Sequence, residues 1–256
     1  MEEAAVKLSR RSSLKALTAA LASPASSRAS ETEIQLVVLD VGGTIIEDRG
    51  DVVATMQSTL AQRGIVVSAA EIGPLRGAAK RSVIQHFVDL HSKKIGADRQ
   101  TLASAIYQDF NAQLNAAYRT VPPIAGAEEA IRKLRENGYL VATTTGFDRE
   151  IVVPIFRRLG WEKYFAAIVA SNDVSRGRPS PYMLFHAMET AQVDSVTAVM
   201  AVGDTPLDLQ AANNAGLRGM VGVLSGASSE EQLRREPHTH LIASVASLPE
   251  LLGPKH

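Results

Sequence analysis

Four short groups of residues in this chain have the types and spacing to do chemistry, and they recur in a fixed order. The first is Asp40-Val41-Gly42-Gly43-Thr44, at the end of the apolar run Ile34–Val41. An acid followed by glycines at the end of a buried strand puts a carboxylate in a crevice and lets backbone approach a ligand closely. The second is Thr143-Thr144-Thr145-Gly146, where a hydroxyl and a glycine amide can donate to oxyanions. Read alone, it is better taken as a strand end that caps the helix starting near Asp148. The third is Arg176-Gly177-Arg178-Pro179-Ser180-Pro181, whose prolines stiffen the chain around a guanidinium. A planar guanidinium suits a phosphoryl group because it donates in pairs. The fourth is Val202-Gly203-Asp204-Thr205-Pro206-Leu207-Asp208. Two carboxylates four residues apart after a buried strand are costly unless solvated or bound to a hard cation.

The elements that must position these groups follow from the apolar pattern. Runs at Ile34–Val41, Tyr139–Thr145, Ala166–Ser171, Val196–Val202, Gly219–Leu224 and His240–Ala243 read as strands. Amphipathic stretches at Ala127–Asn137, Arg149–Leu159, Pro181–Ala191 and Leu207–Ala215 read as helices between them. Near-continuous apolar strands alternating with helices predict an α/β fold, a Rossmann-like doubly wound parallel sheet covered on both faces. Between the first strand and Pro122-Pro123 lie about eighty residues without a strand, too many for a loop. Val52–Gln62, Pro74–Leu90 and Leu102–Tyr118 read as helices there. The expected organisation is a leader over residues 1–33, a core from 34–48 plus 121–256, and a helical cap inserted over 49–120.

Composition narrows the function classes. Lys plus Arg and Asp plus Glu are equal at 27 each, so no global field points to nucleic acid or a membrane surface. The chain has no cysteine, which excludes thiol nucleophiles and thiolate metal sites. The leader carries Lys7, Arg10, Arg11, Lys15 and Arg28 against Glu2 and Glu3, followed by an alanine-rich apolar stretch. Ser9-Arg10-Arg11-Ser12-Ser13-Leu14-Lys15 resembles a bacterial twin-arginine export signal, which implies a periplasmic protein; a Ser/Ala/Arg leader without fixed structure implies a cytoplasmic one. His238 and His240, lacking a third ligand, are read as strand residues, and Trp161 as packing.

Taken in order, with a helical insert after the first, the four motifs resemble those of the haloacid dehalogenase superfamily from residue 34 to the end. The resemblance implies a hydrolase with Asp40 as the nucleophile that forms an aspartyl-phosphate. It implies Thr145 and Arg178 as holders of the phosphoryl oxygens, with Gly43, Thr44, Gly146 and Phe147 lining the substrate site. It also implies Mg²⁺ bound by Asp40, the carbonyl of Gly42 and Asp204, with Asp208 in support.

One position departs from most phosphatases of that superfamily, which place a second Asp two residues after the nucleophile to serve as general acid and base. Here it is Gly42. The enzyme is then inactive, or uses another acid, or expels a leaving group that needs none. The third option matches the phosphonatase branch, phosphonoacetaldehyde hydrolase and its relatives. That branch has a small residue at this position, Arg in the third motif, Thr-Thr-Gly in the second and a Gly-x-x-Lys in the cap. This chain has Gly77-Ala78-Ala79-Lys80. The resemblance implies that Lys80 forms a Schiff base, whose iminium accepts the electron pair released on phosphorus–carbon cleavage. Val83 stands where those enzymes have His, with His86 one turn further on, and Phe147 stands where they have Tyr. Arg76 and Arg81 flank the motif as further candidates to reach the substrate. The expected partner is a small phosphonate or phosphate ester, without nucleic acid or membrane, and a homodimer is compatible. The rivals are a phosphate-ester phosphatase and a non-catalytic phosphate-ligand binding protein.

Overall fold

Burial of short, largely apolar strands organises the molecule. The computed structural model describes residues 33–92 and 96–255. These belong to the unit that starts at Glu33. The leader motif falls in residues 1–32, outside the described residues. In chain order the elements are β1 (Leu36–Leu39), α1 (Asp51–Ala61), α2 (Ala69–Ile72), α3 (Lys80–His91), α4 (Ala97–Tyr118), α5 (Ala127–Glu136), β2 (Leu140–Thr144), α6 (Arg149–Leu159), β3 (Ala167–Val169), α7 (Tyr182–Ala191), β4 (Val199–Gly203), α8 (Pro206–Asn214), β5 (Gly219–Val223), α9 (Glu230–Arg234), β6 (His240–Ile242) and α10 (Leu248–Leu252). Among the described residues no helix is long and apolar enough to cross a membrane.

The six strands form one sheet in the order β3-β2-β1-β4-β5-β6, every pair parallel. This is the doubly wound sheet expected from the sequence. β1 shows why both faces must be covered: Val37 and Leu39 join one apolar cluster, Leu36 and Val38 the other. The first cluster takes in Ile131 and Leu134 of α5 and Ile151 and Phe156 of α6; the second takes in Met183 and Leu184 of α7 and Ala211 and Ala212 of α8. All four β1 side chains are fully enclosed, each contributing about 1.5–3 kcal/mol of burial.

Chain order reverses between β1 and β4, which are neighbours in register from Leu36↔Val199 to Leu39↔Val202. Their carboxyl ends therefore open side by side, which is where ligands enter sheets of this kind. Helices α1 to α4 lie between β1 and β2 in sequence, and α4 packs on α1, α3 and α6. Two details differ from expectation. The stretch Pro74–Leu90 is not one helix: a single 3-10 turn covers Gly73–Leu75, the chain turns at Gly77, and α3 begins at Lys80. A short α2, capped reciprocally by Ser68 and Glu71, was not anticipated.

Candidate active site

Asp40 follows the last residue of β1, and its amide donates to Val202 O of β4 at 2.8 Å, so sheet pairing itself fixes where the carboxylate starts. Asp204 and Asp208 arrive from the end of β4 and the first turn of α8. One oxygen from each of the three carboxylates lies within 4.8 Å of the others, all buried. Arg178 is aimed into this cluster. Its Nη1 donates to Asp40 Oδ1 at 2.7 Å and pairs with Asp208 Oδ1 at 2.9 Å, while its Nη2 donates to Thr144 O and Oγ1 at 2.9 and 2.8 Å. Removing such a guanidinium would leave buried charge uncompensated.

The three acids are not equivalent. Asp208 is fully committed, since its other oxygen accepts from Thr205 N and Oγ1 at 3.0 and 2.6 Å. Its support of a cation is thus indirect, through Arg178 and the turn. Asp204 accepts from Ala227 N at 2.6 Å on Oδ2, but its Oδ1 is buried without a hydrogen-bond partner. Burial raises the Asp204 carboxyl well above the ordinary carboxylate range, reinforced by Asp40 and Asp208. Burial likewise raises Asp40 to about 6, although Arg178 opposes the shift. A divalent cation would satisfy Asp204 Oδ1 and offset this repulsion, so the buried cluster could hold a metal.

A cleft runs from these acids toward the insert. Its walls include Asp40, Gly42, Thr145, Gly146, Phe147, Arg178 and Asp204 from the sheet side, and Gly77 and Lys80 from the insert. Thr145 Oγ1 accepts from Phe147 N at 3.1 Å, which leaves its own hydrogen free to donate into the cleft. Lys80 is the first residue of α3 and is buried; its Nζ donates to Ala78 O at 2.9 Å and sits 5.4 Å from the Phe147 ring centre. Burial lowers its pKa to about 8, although Asp40 opposes the shift.

The turn before Lys80 is seated on the sheet's loops by glycines. A Cβ on Gly77 would lie 2.5 Å from Thr205 Oγ1, and one on Gly146 would lie 2.6 Å from Ala78 O. A Cβ on Gly42 would meet the Phe147 ring at 3.4 Å, so that ring occupies the direction in which a longer side chain there would extend.

Several expected residues stand elsewhere. Gly43 and Thr44 are not in the cleft wall. The Gly43 amide closes a turn onto Ile46 O at 2.7 Å, and its missing Cβ makes room for the Asp204 carboxylate. Thr44 is fully buried behind it. His86 is exposed and stacks edgewise on Phe87, so it does not stand in for the histidine missing at Val83. Arg81 lies over the Tyr107 ring. Conversely, Asp48, Tyr118 and Ala227 line the cleft with no sequence signal to announce them, while Arg76, flanking the Gly77 motif, does reach it. Tyr107 Oη donates to Asp148, tying α4 to the residue that precedes α6.

Comparison with known proteins agrees with this geometry. The family described as Haloacid dehalogenase-like hydrolase matches residues 37–222. A phosphoglycolate phosphatase of Cupriavidus necator is 27% identical over 224 residues, covering 85% of this chain and 93% of the relative. A phosphonoacetaldehyde hydrolase of Bacillus cereus is 30% identical over 210 residues, covering 77% of this chain and 78% of the relative. A phosphonoacetaldehyde hydrolase-like protein from Oleispira antarctica has the same fold, with a TM-score of 0.74 and 23% identity over 87% of this chain and 92% of its own.

Proposed function

The chain belongs to the haloacid dehalogenase-like hydrolases, and we propose that it cleaves the phosphorus–carbon bond of a small carbonyl phosphonate such as phosphonoacetaldehyde. The carrying observation is Lys80, a buried amine with pKa lowered to about 8, in the same cleft wall as Asp40. Residues 49–120 serve as the cap that brings it there. Gly42 cannot transfer a proton, and Phe147 fills the space beside it.

Arg178 and the Thr145 hydroxyl hold phosphonate oxygens beside the Asp40 carboxylate. The neutral Lys80 amine adds to the carbonyl and loses water to give an iminium. Asp40 attacks phosphorus, the phosphorus–carbon bond breaks, and its electron pair moves into the iminium as an enamine. Protonation at carbon and hydrolysis free the carbonyl product and Lys80, while water hydrolyses the aspartyl-phosphate. Mg²⁺, held by Asp40, Gly42 O and Asp204, would supply positive charge to the transferring phosphoryl group.

Borohydride reduction in the presence of phosphonoacetaldehyde tests this. Peptide mass spectrometry should find a reduced adduct on Lys80 in the wild type and in Asp40→Asn, and none in Lys80→Arg. Asp40→Asn should lose phosphate release by roughly 10³-fold or more. Absence of any adduct on Lys80, with release of phosphate from phosphate esters intact, would leave the second reading. That one is a small-molecule ester phosphatase, supported by the relative named phosphoglycolate phosphatase.

A further inference from the structure

We infer that the substrate's carbon portion carries a carboxylate next to the carbonyl, so that the site is built for a 3-phosphono-2-oxo acid, with Arg76 as the group that recognises the carboxylate. This rests on the phosphorus–carbon cleavage proposed above and names its substrate class. The two cations already assigned are engaged elsewhere: Arg178 pairs with Asp40 and Asp208 and is assigned to the phosphonate oxygens, and Lys80 is the amine that reacts. Arg76 is a third cation in the wall of the same cleft, and it precedes the Gly77 turn that leads to Lys80.

The Arg76 guanidinium is held but not saturated. Among the described residues its hydrogen-bond partner is Asp48, reached through Nη2. Asp48 is itself fixed by Gly50 N, which donates to Oδ1 at 2.9 Å. Four of the five guanidinium hydrogens therefore have no protein acceptor among the described residues, and a forked pair of them suits a carboxylate. Of the cleft residues beside it, Asp48 and Tyr118 carry no positive charge and the rest are apolar, so Arg76 is the group that attracts an anion at that end. A carboxylate on the carbonyl carbon places its charge one bond from the atom that Lys80 attacks. For 3-phosphonopyruvate the steps balance as above, with one net water consumed: Lys80 condenses with the ketone, Asp40 takes the phosphoryl group, and the enamine is protonated and hydrolysed to pyruvate.

The test compares kcat/KM for 3-phosphonopyruvate and phosphonoacetaldehyde in the Mg²⁺-loaded protein. The wild type should favour the oxo acid by at least roughly tenfold. Arg76→Leu should reduce that ratio by roughly 100-fold. Arg76→Gln, which keeps a polar side chain but removes the charge and the fork, should reduce it similarly. A ratio unchanged in both variants assigns Arg76 to packing and overturns the inference. Cleavage of the aldehyde but not the oxo acid by the wild type overturns it while sparing the proposed reaction. Cleavage of neither phosphonate, with no borohydride adduct on Lys80, overturns both.

Discussion

Lys80 shows how burial shifts an ordinary amine toward its neutral form. Its motif spacing from Gly77 was readable, but its place as the first residue of α3 was not, because the apolar positions Leu75, Val83 and Ile84 continue a helical period across the break at Gly77. Its neutral form is favoured because desolvation disfavours the ammonium. Since the folded pKa of about 8 lies below the ordinary lysine value of 10.5, the unfolded chain holds more protons between those values, and stability rises with pH across that window. Below pH 8 the whole cost is present. Lys80→Met should therefore be more stable than wild type at pH 7, by about 1–3 kcal/mol in urea unfolding, with the gap closing near pH 10. A wild type more stable than the variant at pH 7 would show that the ammonium is held favourably and that the amine is not poised. Adduct formation with a carbonyl probe in metal-free protein should rise with pH to a midpoint near 8.

The sheet and the insert differ in how much of each element was written in the sequence. Strand positions were legible because the central strands β1 and β4 are buried on both faces and because helix stops such as Gly138, Gly160 and Gly216, all with positive φ, punctuate the chain. The insert was harder. Its long helices showed their period and meet the core partly through side chains such as Tyr118 against Phe147, but the turn before Lys80 is seated through backbone and glycines, which leave no apolar signature. At that surface Gly77 combines φ +86 with Thr205 Oγ1 at 2.5 Å from its missing Cβ. Gly50 has a similar φ of +80 with nothing within 4 Å. Both Gly→Ala variants should lose about 1 kcal/mol through backbone strain. Gly77→Ala should in addition lose activity by at least roughly tenfold, because it lifts the turn carrying Lys80 away from Asp204 and its neighbours. Equal activity in the two variants would mean that seating of this turn does not control the chemistry.

At the scale of the molecule, the site exists because β1 and β4 are neighbours although distant in sequence, so that Asp40 and Asp204 open into one crevice. The four motifs announced the participants. They could not announce that Asp208 turns its second oxygen to Thr205 rather than to a cation, since that depends on the α8 turn geometry. The assembly concentrates negative charge in the core, with a consequence for stability. Asp40 is raised from 3.8 to about 6 and Asp204 is raised well above 3.8, so the metal-free folded state holds more protons than the unfolded chain over that range. Stability therefore falls as pH rises from about 4 through 6 and stays lowered above, the reverse of a salt-bridged carboxylate. Bound Mg²⁺ should oppose this decline by replacing the protons. Its stabilisation should be small at pH 5 and reach about 2.7 kcal/mol at pH 7.5 when its concentration is about 100 times the Kd. Asp204→Asn should both flatten the metal-free pH decline and diminish the Mg²⁺ effect, because it removes one buried charge and weakens the oxygen left without a partner in the native chain. Thermal unfolding with and without Mg²⁺ at the two pH values decides the matter. An Mg²⁺ shift as large in Asp204→Asn as in wild type would place the ion somewhere other than between these acids.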